Sequence, residues 1–233
     1  MLQVIADELS AFTEVLPVVM DVGNQQACAA LIEKTIAHFG ALHILVNNAG
    51  LHHRGEVEMF SGDQLAAMVD VNLRTPIHLS VLSLPHMKAA GEGAIVNVGS
   101  LAGRVPLQGS AAYSSTKTGL RTFTYALADE LRGTGVSTSV VSPGPIDTGF
   151  IMDDIDRVQD IVFSQPMSTA DEVARNVIRL ALNGKYEIAM TRSAGWLTNI
   201  AYLSPWLRRK LRPLMYKKGR RIKERYRKQN TDS

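Results

Sequence analysis

Short apolar runs alternate with amphipathic stretches along most of the chain. Val15 to Val22 (VLPVVMDV) reads as a strand, and Asn24 to Phe39 as a helix, because Ala27, Leu31, Ile32, Ile36 and Phe39 recur near the helical period. Gly40 stands where a helix C-terminus favours glycine. The pattern continues with a strand at Leu42 to Asn47, a long helix at Ser61 to Met87 and a strand at Ala94 to Val98. A helix at Ala111 to Leu131, a strand at Val136 to Val141, a helix from Thr169 to Leu182 and a strand at Tyr186 to Met190 complete it. Ser168-Thr169-Ala170-Asp171-Glu172 carries the capping pattern that opens the last of these helices. The strands are apolar throughout rather than alternating, which burial on both faces requires. The fold class is therefore α/β, a doubly wound parallel sheet with helices on both sides.

Composition sharpens this reading. With 233 residues, 45% of them hydrophobic and 20% charged, the chain excludes a disordered polymer, a collagen and a coiled-coil rod. The single cysteine, Cys28, cannot close an internal disulfide and reads as a buried thiol. No apolar run reaches the roughly 18 residues of a membrane span, and the first residues, with Asp7 and Glu8, do not read as a signal peptide. The expectation is an intracellular, cytoplasmic protein. Its net charge of +3 hides an asymmetry: residues 205–233 hold twelve Lys and Arg against Glu224 and Asp232, whereas residues 1–204 carry a net −7. Residues 1–194 thus read as an acidic α/β domain and residues 195–233 as a basic extension.

In doubly wound sheets ligands lie beyond the carboxyl ends of the strands. Those ends carry Asp21-Val22, Asn47-Asn48-Ala49-Gly50, Gly99-Ser100 and Ser142-Pro143-Gly144-Pro145. Tyr113 and Lys117, at i and i+4, share a helix face thirteen residues after Ser100. A cation beside a phenol favours its ionised form, and a serine hydroxyl can hold a substrate oxygen, so the three compose an acid-base site for a carbonyl or an alcohol. His52 and His53 lack metal-ligand spacing and read as a loop at the mouth of that site; no metal is expected.

Taken together, Asn47-Asn48-Ala49-Gly50, Asn72, Ser100, Tyr113-x-x-x-Lys117 and Pro143-Gly144 stand in an order and spacing that resembles the short-chain dehydrogenase/reductase family over residues 1 to about 190. The resemblance implies a Rossmann-like fold and hydride transfer between NAD or NADP and a carbonyl/alcohol pair. It assigns proton transfer to Tyr113, ribose binding and lowering of the Tyr pKa to Lys117, carbonyl orientation to Ser100 and a proton-relay water to Asn72. By the same likeness Asp21 and Val22 would meet the adenine, Asn47, Ala49 and Gly50 the adenine ribose, and Pro143, Gly144, Ile146 and Thr148 the nicotinamide amide. The family also implies homo-oligomers through the two long helices.

The family pattern begins with a strand and a turn of the form T-G-x-x-x-G-x-G, and this sequence contains no such turn. Met1 to Leu9 instead resembles the helix after the family's second strand, so the fold reads as lacking about one βαβ piece at its N-terminus. Without that turn the cofactor pyrophosphate has no glycine-backed helix N-terminus, and Val15 to Val22 must pair elsewhere or leave a sheet edge open. Two hypotheses follow: a shortened form of an active oxidoreductase, or a catalytically inactive isoform serving as a binding, regulatory or membrane-associated module.

Pro145 to Met167 falls where the family keeps a substrate lid, and Phe150, Ile151, Met152, Ile161, Val162 and Phe163 point to a hydrophobic substrate, with packing against the body or a subunit as the equal alternative. Beyond it, Trp196, Ile200, Leu203, Leu207, Leu211 and Leu214 recur at roughly helical spacing among cations, and Pro205 and Pro213 would start or interrupt helices. That pattern fits an interfacial helix on an anionic membrane. A solvated helix packing against the chain's own body or a subunit is the alternative, and nucleic acid is not expected, because the body is acidic and shows no recognition motif.

Overall fold

The computed structural model describes residues 2–153, 155–190 and 192–231, excepting the side chains of residues 192–194, 196, 197 and 229–231. Helix α1 (Leu2–Ser10) and α2 (Gln25–Phe39) precede β1 (Ile44–Asn47). Helix α3 (Gly62–Val69) passes through a π-turn at Asp70–Arg74 into α4 (Thr75–Ala90) and β2 (Gly93–Val98). Then come α5 (Ala111–Glu130), β3 (Val136–Ser142), the short α6 (Gly149–Met152), α7 (Ala170–Asn183) and β4 (Glu187–Ala189). Helices α8 (Arg192–Leu203) and α9 (Pro205–Thr231) end the described chain.

All strand pairs are parallel, and the order β1-β2-β3-β4 follows the sequence. Each crossover passes through helix, as parallel pairing requires. The helices sit where their caps place them. Asn24 accepts the Ala27 N–H at the start of α2, and Gly40 closes it in the left-handed region at φ 77°. Ser61 with Gln64, and Thr169 with Glu172, form reciprocal capping boxes on α3 and α7.

Two hydrophobic layers flank the sheet. Cys28, Ile32, Leu79, Met87, Leu127 and Leu131 pack on one side against Leu45, Ile95 and Val136. Val173, Leu180 and Met190 pack on the other against Val96 and Val141. Strands β2 and β3 are buried almost throughout, but Ile44 and Val46 of β1 remain 48% and 42% exposed.

Residues 15–22, expected as a strand, form none. The segment joins no ladder, and Val19 is 90% exposed. Side chains hold its end: Thr75 Oγ1 donates to Val22 O at 2.6 Å, and Arg74 Nη2 to Gly23 O at 3.1 Å. An apolar run makes a strand only when an adjacent strand takes up its backbone hydrogen bonds, and here β1 is left as the edge. The long helix expected over residues 61–87 is also not regular, since the π-turn divides it. Pro205 opens α9, whereas Pro213, on the exposed side of α9, does not end it.

Candidate active site

Beyond the carboxyl ends of β1, β2 and β3 lies a cavity of about 890 Å³. Its backbone frame is fixed by two hydrogen bonds that splice the strand ends together, Gly99 N–H to Val141 O at 2.7 Å and Leu101 N–H to Pro143 O at 2.8 Å. Ser100, between those donors, is presented to the cavity together with Tyr113 and Lys117 from α5. Helix α5 comes close enough because Gly103 lies against the backbone of Lys117; a Cβ there would stand 2.6 Å from Lys117 O.

Ser100 Oγ accepts the Ala102 N–H at 3.1 Å, and its hydroxyl bears on the Tyr113 phenol across the cavity. Burial pushes the phenol above its usual range, and the Ser100 hydroxyl and the nearby Arg54 charge oppose that rise. Lys117 is 4% exposed, and its Nζ donates to Val98 O at 2.8 Å and lies 5.8 Å from the Tyr113 ring centroid. Burial lowers its pKa to about 8. An ammonium has three N–H donors, and Val98 O is the one protein acceptor found for it among the described residues. A buried donor set so incompletely used, facing a cavity, fits a ligand hydroxyl.

Asn72 is fully buried on the π-turn. Its Oδ1 accepts the Leu51 N–H at 2.8 Å, while Nδ2 donates to Leu51 O at 2.7 Å and contacts Thr116 Oγ1 at 3.3 Å. One side chain thus satisfies both backbone groups of the residue after Gly50. The π-turn swings Asn72 toward that loop, a distortion that recurs at functional sites.

Ala49, Gly50, Ser100, Tyr113, Lys117, Pro143, Gly144, Ile146 and Thr148 all line the cavity. Asp21, Val22, Asn47 and Asn72, expected in the site, do not. Asp21 accepts the Gly23 N–H at 2.8 Å, and Val22 O is taken by Thr75. Asn47 is buried beneath the sheet end, donating to Asn97 Oδ1 at 2.8 Å. His52, expected in a loop at the mouth of the site, lines the same cavity, as do Arg54, Val158 and Met215, which the sequence pattern did not single out. His52 stacks on Tyr113, with centroids 3.9 Å apart, and its Nε2 lies 3.1 Å from Ser110 Oγ. Burial, then the charges of Arg54, His53 and Lys117, lower its pKa to about 3, so the ring is neutral. The one available signal was its place two residues after Gly50, at a strand end.

The distal half of the cavity is apolar. Ile151, Val158, Ile161 and Val162 of the lid face Val173 and Val177 of α7, and Met215 of α9 closes the far side. The lid neck is pinned by Ser168 N–H to Pro145 O and Asp147 N–H to Ser168 O, both 2.9 Å. Of the lid residues singled out in the sequence, Phe150, Ile151, Ile161 and Val162 line the cavity, whereas Phe163 is fully buried away from it, against Tyr226 of α9.

The family described as short chain dehydrogenase matches residues 1–159. Ketoacyl reductase HetN of Nostoc sp. is 34% identical over 174 residues, covering 74% of this chain and 60% of that protein. An uncharacterized oxidoreductase of Staphylococcus saprophyticus is 34% identical over 163 residues, covering 68% and 63%. The chain thus spans about three fifths of the length of these curated relatives. Among solved structures, a short-chain dehydrogenase from Streptomyces avermitilis superposes with a TM-score of 0.74 at 22% identity, over 91% of this chain and 83% of that one. A metagenomic short-chain oxidoreductase solved with NADP gives 0.67 at 29% identity, over 81% and 79%. By its sequence match over two thirds of its length, and by a parallel sheet shared with these structures, the chain belongs to the short-chain dehydrogenase family.

Proposed function

We propose that this chain carries the catalytic half of an NAD- or NADP-dependent oxidoreductase that interconverts a carbonyl and an alcohol on a hydrophobic small molecule. The observation that carries the reading is the convergence of Ser100, Tyr113 and Lys117 on one cavity whose distal wall is apolar. A nicotinamide cofactor fits at its ribose end, where the under-used Lys117 ammonium faces open space, and Gly50 leaves room beside it. When bound, that group supplies or accepts the hydride.

In the reductive direction a substrate carbonyl oxygen would accept hydrogen bonds from Ser100 and Tyr113, and the phenol would give up its proton as the alcohol forms. Burial favours the protonated phenol at neutral pH, which suits a proton donor; the Lys117 ammonium, 5.8 Å from the ring centroid, would offset the phenolate left behind. Asn72 acts by holding the Leu51 backbone beside Gly50. In this reading Pro143, Gly144, Ile146 and Thr148 border the nicotinamide amide, and Ala49 and Gly50 the adenine ribose. An anionic membrane surface and a second copy of the chain, met through α4 and α5, are its partners.

Tyr113→Phe tests the assignment: hydride transfer to apolar ketones, followed by NADPH absorbance, should fall about 10²-fold or more. Activity surviving the change would refute Tyr113 as the proton donor. The open β1 edge, with Ile44 and Val46 exposed, favours a second reading, a cofactor-deficient binding module. Titration of NADH and NADPH fluorescence separates the two, since binding tighter than about 1 mM removes the second.

A further inference from the structure

Helix α9 divides its cations between two faces. On the inner face Gly219 presses on the lid, where a Cβ would stand 1.7 Å from Asp160 O. Lys223 is buried there, donating to Asp156 O at 3.3 Å and to Val158 O. Arg220 pairs with Asp160 at 3.1 Å, and Arg227 with Asp156. The two lid carboxylates thus pair with the three cations of this side.

The other face is different. Trp206, Lys210, Leu214, Lys217, Arg221, Arg225 and Lys228 recur every three or four residues and are all exposed. Lys218 flanks them, and among the described residues Glu224 is the one carboxylate of that face. Among the described residues, Lys217, Lys218, Arg221 and Arg225 form no ion pair, and with Leu214 they line a shallow groove. Trp206 and Leu214 are 69% and 66% exposed, and Leu203, just before the helix, is 82% exposed. The Lys210 ammonium stands 5.0 Å over the Trp206 ring.

We propose that this outer face docks on an anionic lipid bilayer, a surface that deepens the functional reading above. Phosphate groups complement the unpaired cations, and acyl chains reward burial of Trp206, Leu203 and Leu214. A nucleic acid would meet the charge but gain nothing from exposed leucines. Docked this way, the helix whose inner side supplies Met215 to the cavity separates cavity from bilayer by one helix diameter, about 10 Å. A lipid-soluble carbonyl compound would then reach the pocket from the membrane.

The test is co-sedimentation of the full chain with phosphatidylglycerol/phosphatidylcholine vesicles and with phosphatidylcholine alone, which needs neither cofactor nor turnover and so fails independently of the oxidoreductase reading. Binding should require the anionic lipid and fall about 100-fold in the Lys217→Glu/Lys218→Glu/Arg221→Glu variant. The same charge change on the body, Lys34→Glu/Lys88→Glu/Arg179→Glu, should cost less than a third of that loss on a logarithmic scale. Quenching of Trp fluorescence by brominated lipid should largely disappear in Trp206→Phe. Equal loss in both triple variants, unaltered quenching in Trp206→Phe, or tighter binding of an RNA oligonucleotide than of vesicles would each overturn the proposal.

Discussion

His52 lies flat on Tyr113, ring centroids 3.9 Å apart and planes 14° from parallel. Burial, then the charges of Arg54, His53 and Lys117, keep the imidazole neutral, with a pKa of about 3 against an ordinary 6.5. Because the folded pKa lies below the unfolded one, the unfolded chain binds the proton more readily. The stabilisation is complete above pH 6.5 and is lost as pH falls from 6.5 toward 3. His52→Phe keeps a ring on Tyr113 but cannot titrate. Its thermal midpoint should drop less than that of the parent chain between neutral and mildly acidic pH, as read by circular dichroism.

Lys117, which the proposed function places at the cofactor ribose, carries a cost in stability. Its pKa of about 8, against 10.5, means that the fold disfavours the ammonium at neutral pH, and stability should rise as pH climbs from 8 to 10.5. Lys117→Met should therefore be more stable at pH 7, by up to about 3 kcal/mol in urea unfolding, while losing hydride transfer. Equal or lower stability of the variant would show that the Val98 contact outweighs the burial cost.

Glu187 anchors the far side of the sheet. Its carboxylate accepts from Arg121 Nη2 at 2.8 Å, Tyr125 OH at 2.8 Å, Ser142 Oγ at 2.6 Å and the Arg104 guanidinium. Burial alone would raise its pKa, but the hydrogen bonds of Arg121, Arg104 and Ser142 win and hold it at about 2. That stabilisation is present above pH 4.5 and fades as pH falls toward 2. Glu187→Ala strands the buried Arg104 and should cost about 3–5 kcal/mol in denaturant unfolding. Arg104 also donates to Asn199 Oδ1 at 2.9 Å, so the same change should expose α8 to limited proteolysis.

Gly219→Ala probes the grip of α9 on the lid. Its new methyl would collide with the Asp160 carbonyl, and the overlap should cost about 1–3 kcal/mol. Hydrogen exchange should speed up across residues 156–164 while the β2 and β3 amides stay protected.

Much of the fold was legible because its cues are local. The apolar runs of β2 and β3, the Asn24 cap and the Thr169-Glu172 box lie within a few residues of the elements they specify. The Tyr113/Lys117 pair was legible for the same reason, since helix geometry puts i and i+4 on one face. Residues 15–22 were not, because a strand needs a neighbour and the run itself cannot say whether one is present. Asn72 looked like part of a regular helix; its service to Leu51 depends on a contact between residues twenty-one positions apart.

The basic tail marks the same boundary. By itself the sequence determined that residues 205–233 form a strongly cationic amphipathic stretch beyond an α/β domain, since charge and periodicity are properties of the chain. Only the tertiary structure decided which cations are spent. Asp156 and Asp160 meet Arg227, Arg220 and Lys223 across some sixty to seventy residues, and that pairing leaves Lys217, Lys218 and Arg221 facing solvent. Ion pairing is decided by proximity in space, which no period along the chain encodes.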